Sequence, residues 1–297
     1  MMFDSKNVLI TGAGRGIGRA LAVAFAKEGS FVGCLARTHG EVLSTVEDIQ
    51  SSGGKAEALI ADVSDFDAVS ETISAFGSSC QSIDILFLNA GISVDRERLE
   101  NSNPANWKKV IDVNLTGAYY CAFAALPYLK KAEHAKIITI GSGLGHSGEA
   151  GNSAYCVSKA GLWMLTRVLG EELKPHRISV NELVPGPVKT YQSSQRSQNP
   201  NDSLFDPNNE WIKEPEDVIP LAFFLASQPP QGPSSQTFSL TRRKNKFEGW
   251  HNCANFSLST VGSGITKQGY IDEHLAAASP TILEASLKLL FYKLRIA

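Results

Sequence analysis

Residues 11–18, Thr11-Gly12-Ala13-Gly14-Arg15-Gly16-Ile17-Gly18, directly follow the apolar run Val8-Leu9-Ile10 and lead into an amphipathic stretch that begins at Arg19. The order is strand, glycine turn, helix start. Glycine lets a backbone approach a ligand closely, and the first N–H groups of a helix lack internal partners and attract an anion. A diphosphate suits such a turn. Gly12, Gly16 and Gly18 give the spacing G-x-x-x-G-x-G. The general dinucleotide pattern G-x-G-x-x-G would put glycine at Ile17, and no Gly-Lys-Ser/Thr closes the turn as in a P-loop.

Working outward, short apolar runs recur with helical patterns between them: 7–11, 31–36, 56–61, 83–88, 136–141, 178–184 and 236–240. Seven strands separated by helices imply a mostly parallel sheet, and right-handed crossovers then place helices on both faces. The expected architecture is a doubly wound α/β sandwich, in which ligands collect at the carboxyl ends of the strands. Ser102 or Asn103 caps a helix opened by Pro104, Pro127 bends or ends the next one, and Pro175 stops the helix after Tyr155. The segment 191–209, rich in Ser, Asn, Gln and Pro, reads as a loop able to serve as a substrate lid.

The chain has 297 residues, 43% of them hydrophobic and 20% charged, with a formal net charge of −2. That is ordinary soluble composition, and it gives no reason to expect nucleic acid or an acidic surface as partner. Cys34, Cys80, Cys121, Cys156 and Cys253 are odd in number, widely spaced and never C-x-x-C, so neither a disulfide framework nor a metal site is expected. The opening Met1-Met2-Phe3-Asp4-Ser5-Lys6 lacks a secretory layout, and no apolar stretch approaches bilayer-spanning length. A cytoplasmic protein without membrane attachment is the expectation.

Tyr155 and Lys159 stand four apart in a segment of helical pattern, so both side chains share one face. A phenol has a reference pKa of about 10, and a neighbouring ammonium and a helix N-terminus both favour its ionised form. Ser142 follows the strand 136–141. Taken singly, such a pair is a helix flank and such a serine a turn residue. Their chain order behind the glycine turn points to proton-transfer chemistry.

With T-G-x-x-x-G-x-G at 11–18, Asn89-Ala90-Gly91, Asn114, Ser142, Y-x-x-x-K at 155–159 and Pro185-Gly186-Pro187-Val188-Lys189-Thr190, the chain resembles a short-chain dehydrogenase/reductase of the classical type over about residues 5–243. The resemblance implies a Rossmann-type sandwich, with Tyr155 as proton donor or acceptor. Ser142 would orient the carbonyl, Lys159 would meet the nicotinamide ribose, and Asn114 would hold a water of the proton relay. It further implies that Gly12, Arg15, Gly16, Ile17 and Gly18 cradle the dinucleotide, and that Asp62 and Val63 border the adenine. Asn89, Ala90 and Gly91 would stabilise the sheet beside the cofactor, while Pro185, Gly186, Val188 and Thr190 would lie at the nicotinamide amide. For Val63 and Ala90, packing explains the residue as well as function does.

Cofactor choice turns on charge. An acidic residue after the second strand binds the 2′-hydroxyl of NAD, and a basic one accommodates the 2′-phosphate of NADP. Here the strand 31–36 ends in Arg37, no Asp or Glu occurs until Glu41, and Arg15 sits within the turn. NADP(H) is expected over NAD(H).

Domain 1–243 is thus expected to be the Rossmann-fold oxidoreductase, and 244–297 an extension foreign to the family. Leu283, Leu287, Leu290 and Leu294 recur at helical spacing, so 281–296 reads as an amphipathic helix, docking on its own domain or on a partner subunit ahead of lying on a membrane surface. His251 and Cys253 lack further ligands for a metal. The family forms homodimers or homotetramers, and the extension bears on that assembly. The expected function is hydride transfer between nicotinamide and a carbonyl or secondary alcohol. The competing reading is an NADP(H)-binding sensor or scaffold without turnover. Leu144, His146 and Tyr191 are candidate substrate-wall residues and, equally, candidate surface residues. A 3-oxoacyl thioester is one candidate substrate by family likeness, and sugar, steroid and small aliphatic carbonyls stay open.

Overall fold

The structure, a computed structural model, describes residues 1–190 and 211–241. Seven parallel strands lie side by side: β1 (Asn7–Thr11), β2 (Phe31–Ala36), β3 (Lys55–Ile60), β4 (Ile85–Leu88), β5 (Lys136–Ile140), β6 (Ser179–Val184) and β7 (Thr237–Ser239). Their order is β3-β2-β1-β4-β5-β6-β7. The order reverses between β1 and β4, and the crevice at that reversal is where a doubly wound sheet takes its ligand.

The apolar runs become strands because a parallel sheet is covered on both faces. Along β1, Val8 and Ile10 point to one face and Leu9 to the other, the period-2 alternation of a pleated strand. One face packs beneath α1 (Gly16–Lys27), α2 (His39–Ser51) and α8 (Ile219–Ala226), around Phe25, Val32, Phe87 and Leu183. The other meets α3 (Phe66–Cys80), α5 (Gly117–Leu129) and α7 (Ser153–Glu172), around Leu35, Phe76, Leu86 and Val180. Each fully buried Phe or Leu here contributes about 1.5–3 kcal/mol relative to exposure.

Helix starts follow the sequence signals. Asn103 caps α4 (Pro104–Ile111) by accepting from the N–H groups of Ala105 and Asn106, with Pro104 in the first turn. Asp65 does the same for α3. Pro127 lies inside α5, which ends soon after at Leu129. A π turn over Asp112–Thr116, which the sequence did not announce, joins α4 to α5. A short turn of helix, α6 (Leu144–Ser147), lies between β5 and α7.

Residues Met1–Arg242 form one compact unit. The lid expected at 191–209, the extension 244–297 with its helix at 281–296, and Tyr191, His251 and Cys253 lie outside the described residues. Among the described residues no helix is long and apolar enough to cross a membrane.

Candidate functional site

The glycine turn sits at the carboxyl end of β1. Gly12 has φ +69°, and an added Cβ there would meet Asn89 Nδ2 at 2.9 Å and Ala90 Cα at 3.0 Å. Gly18 is tighter: a Cβ would come within 2.1 Å of the Gly12 carbonyl oxygen and 2.6 Å of Asn89 Nδ2. No side chain fits between helix and turn. Arg15 precedes α1 without a side-chain cap, and the first turn of that helix carries no acidic residue, whereas α3 and α4 are both capped by side chains. An α1 start left in this state suits an anion. These features fit the diphosphate of a dinucleotide.

Thr11 and Asn89 lock this turn to the end of β4. Thr11 Oγ1 accepts from the N–H of Asn89 at 2.9 Å and of Ala90 at 3.0 Å and donates to Phe87 O at 3.2 Å. Asn89 Nδ2 returns a bond to Thr11 O at 2.8 Å. Two sequence-distant turns are thereby made into one rigid floor. Ile17 and Ala90 are partly buried and pack on the apolar clusters to either side of the sheet.

On the adenosine side, Arg37 and Asp62 stand just past the ends of β2 and β3, with Arg37 Nη1 3.8 Å from Asp62 Oδ2. Arg15 Nη1 lies 3.3 Å from Glu41 Oε1. Both arginines are half exposed, and surface pairs of this kind hold one another weakly. Burial pushes the Asp62 carboxyl up, but the Ser64 N–H and hydroxyl and the charges of Arg37 and Lys109 outweigh it, leaving the group below its ordinary value. Val63 is buried against Gly117, where a Cβ would meet its Cγ2 at 2.8 Å, a packing role.

Asn114, Ser142, Tyr155 and Lys159 arrive from three places. Asn114 is fully buried within the π turn, an irregularity that recurs at functional sites. Its Oδ1 accepts from Ile92 N at 2.7 Å, and its Nδ2 donates to Ile92 O at 2.9 Å and Ser158 Oγ at 3.0 Å. Ser158 in turn donates to Tyr155 O at 2.8 Å, so Asn114 is coupled to the backbone of the tyrosine. Lys159, buried, donates from Nζ to Ile140 O at 2.8 Å, and its Nζ lies 5.8 Å from the Tyr155 ring centroid. A Cβ on Gly91 would stand 3.4 Å from Asn114 Oδ1 and 3.6 Å from Lys159 Nζ, so these side chains meet beside the β4 turn. Ser142, just past β5, accepts from Leu144 N at 3.3 Å. The Tyr155 hydroxyl makes no hydrogen bond to any described residue.

Beyond β6, Pro185, Gly186 (φ +69°), Val188 and Thr190 curve back over the glycine turn; a Cβ on Gly16 would meet Thr190 Cγ2 at 3.3 Å. Val188 bridges to Lys213, whose N–H donates to Pro187 O at 3.0 Å and whose buried Nζ donates to Trp211 O at 3.0 Å. Sequence reasoning missed Thr11, Ser158, Lys213 and Glu182. The hydroxyl beside the first glycine was the available signal for Thr11; the other three show their role only through distant partners. His146, open between substrate wall and surface in the sequence, turns its ring inward onto Glu182, with 11% of the side chain exposed.

The family described as short chain dehydrogenase matches residues 6–201. The 3-oxoacyl-(acyl-carrier-protein) reductase FabG of Chlamydia pneumoniae is 33% identical over 231 residues, covering 75% of this chain and 90% of that protein. The short-chain reductase protein NovJ of Streptomyces niveus is 37% identical over 182 residues, 61% of this chain and 69% of its own. Among solved structures, a short-chain type dehydrogenase/reductase from Mycobacterium marinum superposes with a TM-score of 0.74 at 29% identity, covering 80% of this chain and 94% of the other.

Proposed function

Because the chain belongs to the short-chain dehydrogenase/reductase family, oxidoreductases that act on CH–OH and C=O groups with a nicotinamide dinucleotide, we propose that it is an NADP(H)-dependent carbonyl reductase or alcohol dehydrogenase using Tyr155 as its general acid/base. When bound, the nicotinamide supplies or takes up the hydride. The residues of the chain do the rest. In the reduction direction the Tyr155 hydroxyl donates its proton to the substrate oxygen as negative charge develops there, and the Ser142 hydroxyl donates a hydrogen bond to the same oxygen. The Lys159 ammonium favours the negative charge left on the phenol and offers its remaining N–H bonds to the nucleotide ribose. Asn114 braces the Tyr155 helix, and its relay role as holder of a water follows the family pattern.

The observation that carries this reading is the meeting of Asn114 and Lys159 at Gly91, with Tyr155 on the same helix as Lys159. Arg15 and Arg37 at the adenosine end support NADP(H), since guanidinium groups bind phosphate oxygens bidentately. The substrate class we put first is the 3-oxoacyl thioester, after the names of the relatives.

The same reading takes 1–243 as the oxidoreductase domain and 244–297 as an added segment, in a cytoplasmic homodimer or homotetramer. Cys34, Cys80 and Cys121 stand as free thiols, and burial pushes those of Cys34 and Cys121 up to about 12. Tyr119 and Phe123 on α5 and Val157, Met164 and Val168 on α7 are exposed, apolar surface of the kind that subunits cover. Light scattering on the purified chain tests the assembly.

Loss of NADPH absorbance is followed over a panel of 3-oxoacyl thioesters, sugars, steroids and small ketones, with NADH in parallel. Turnover of at least one carbonyl with a clear NADPH preference is expected. Nucleotide binding without turnover on any of them would favour the sensor reading, and equal use of NADH would refute the roles of Arg15 and Arg37.

A further inference from the structure

Glu182 is fully buried in β6, three residues before Pro185, and both of its carboxylate oxygens are held. His146 Nε2 lies 3.0 Å from Oε2 and 3.3 Å from Oε1, and Thr237 Oγ1 on β7 donates to Oε2 at 2.7 Å. The carboxylate also occupies the space beside Gly141, the residue directly before Ser142: a Cβ there would lie 1.9 Å from Glu182 Oε1. His146 belongs to α6, the single turn that follows Ser142, and stacks edge-on against Trp163 of α7 with ring centroids 5.3 Å apart. Gly145, beside it, lies against the backbone of Lys159, where a Cβ would come within 2.7 Å of Lys159 C. The Ser142 turn is thus fastened on one side to β6 and on the other to the helix that carries Tyr155 and Lys159.

A single helical turn has no stability of its own. Among the described residues Ser142 Oγ is tied only to Leu144 N, within that turn, so its direction depends on how the turn is held. A buried carboxylate needs its donors, yet such a pair adds little net stability over apolar packing. What two fixed bonds to one carboxylate do supply is direction.

We propose that Glu182 and His146 are positioning residues that set the orientation of Ser142 relative to Tyr155. Glu182 anchors the imidazole, the imidazole anchors α6, and α6 holds the serine hydroxyl toward the substrate oxygen. The proposal rests on the reductase reading above. It differs from a plain packing role in one respect: loosening the pair should lower turnover without weakening nucleotide binding.

His146→Ala and His146→Gln test it in the full-length chain, with wild type and Tyr155→Phe assayed alongside. Since a displacement of about 1 Å in a reacting group can cost up to about a hundredfold in rate, His146→Ala should lower kcat by about tenfold or more. The nucleotide Kd, read by NADPH fluorescence, should stay within about twofold. His146→Gln, which keeps an N–H donor near the Nε2 position, should recover most of kcat. If His146→Ala does not fold, Thr237→Val takes its place; it removes only the hydroxyl on Oε2, and a fall in kcat at constant Kd is again expected. An unchanged kcat in a folded variant, or kcat and nucleotide affinity falling together, overturns the proposal. A wild-type chain that reduces no carbonyl, or turnover unaffected by Tyr155→Phe, overturns the reductase reading instead.

Discussion

At the amino ends of its strands the sheet is tied by bonds between side chains and neighbouring backbone, whereas its carboxyl ends gather the glycine turn, Asn114, Tyr155 and Lys159. At the amino edge, Asp84 takes Lys6 Nζ at 2.9 Å on one oxygen and Asn7 N at 3.0 Å on the other, Asn7 Nδ2 donates to Cys80 O and Ser82 O, and Lys136 Nζ reaches Pro229 O. These side chains bond to neighbouring residues of the fold. At the carboxyl edge the α1 start lacks a side-chain cap, Gly12 and Gly18 keep side chains out, and the Tyr155 hydroxyl points to no described partner. One edge secures the fold and the other prepares a surface for binding. Substitutions at the two edges should therefore part stability from activity.

The largest effect should come from Tyr155→Phe, which removes one oxygen and no packing: kcat falls by about a thousandfold or more, in the upper range for loss of a general acid, while melting temperature and nucleotide affinity hold. Steady-state kinetics with fluorescence titration checks it, and a parallel loss of stability would break the contrast. Next is Gly18→Ala. The methyl group cannot coexist with the Gly12 carbonyl, so nucleotide binding should weaken by about 1–3 kcal/mol, roughly fivefold to 150-fold, and calorimetric titration reads it.

Asn114→Ala sharpens the comparison, because this residue both braces the structure and serves the site. It leaves Ile92 N and O without their partner, so about 1–3 kcal/mol of stability should go together with part of kcat, measured by denaturant unfolding and kinetics.

The smallest effect belongs to the amino edge. Burial lowers the Lys136 ammonium from 10.5 to about 8. Below pH 8 the charge is present in folded and unfolded chains alike, and the folded state bears the whole cost of burying it. Between pH 8 and 10.5 the folded protein gives up its proton before the unfolded chain does, so stability gains as pH rises. Lys136→Met should therefore raise the melting temperature at pH 7, by an amount that shrinks above pH 8, with kcat unchanged. Thermal scans from pH 6 to pH 10 decide it.

What was legible in the residues was whatever depends on near neighbours or on pattern. The strands showed because a sheet covered on both faces needs continuous apolar runs such as Ile85-Leu86-Phe87-Leu88. Tyr155 and Lys159 showed because one helical turn sets them side by side. Less legible were pairings across long separations. Glu41 and Asp62 come to face Arg15 and Arg37 only when β1, β2 and β3 align, and Glu182 reads along the chain as an oddity in an apolar strand. The π turn at Asn114 left no periodic trace, since one inserted residue shifts the pattern without erasing it.

The sequence by itself determined the strand and helix order, the glycine turn and the spacing of Tyr155 and Lys159, because these follow from backbone stereochemistry and hydrophobic period over a few residues. Only the tertiary structure decided that Asn114 grips Ile92 and Ser158, that His146 turns inward to Glu182, and that Thr11 and Asn89 join two turns into one floor. Those bonds link residues tens of positions apart. Which donor finds which acceptor there depends on how layers pack, and no local pattern records it.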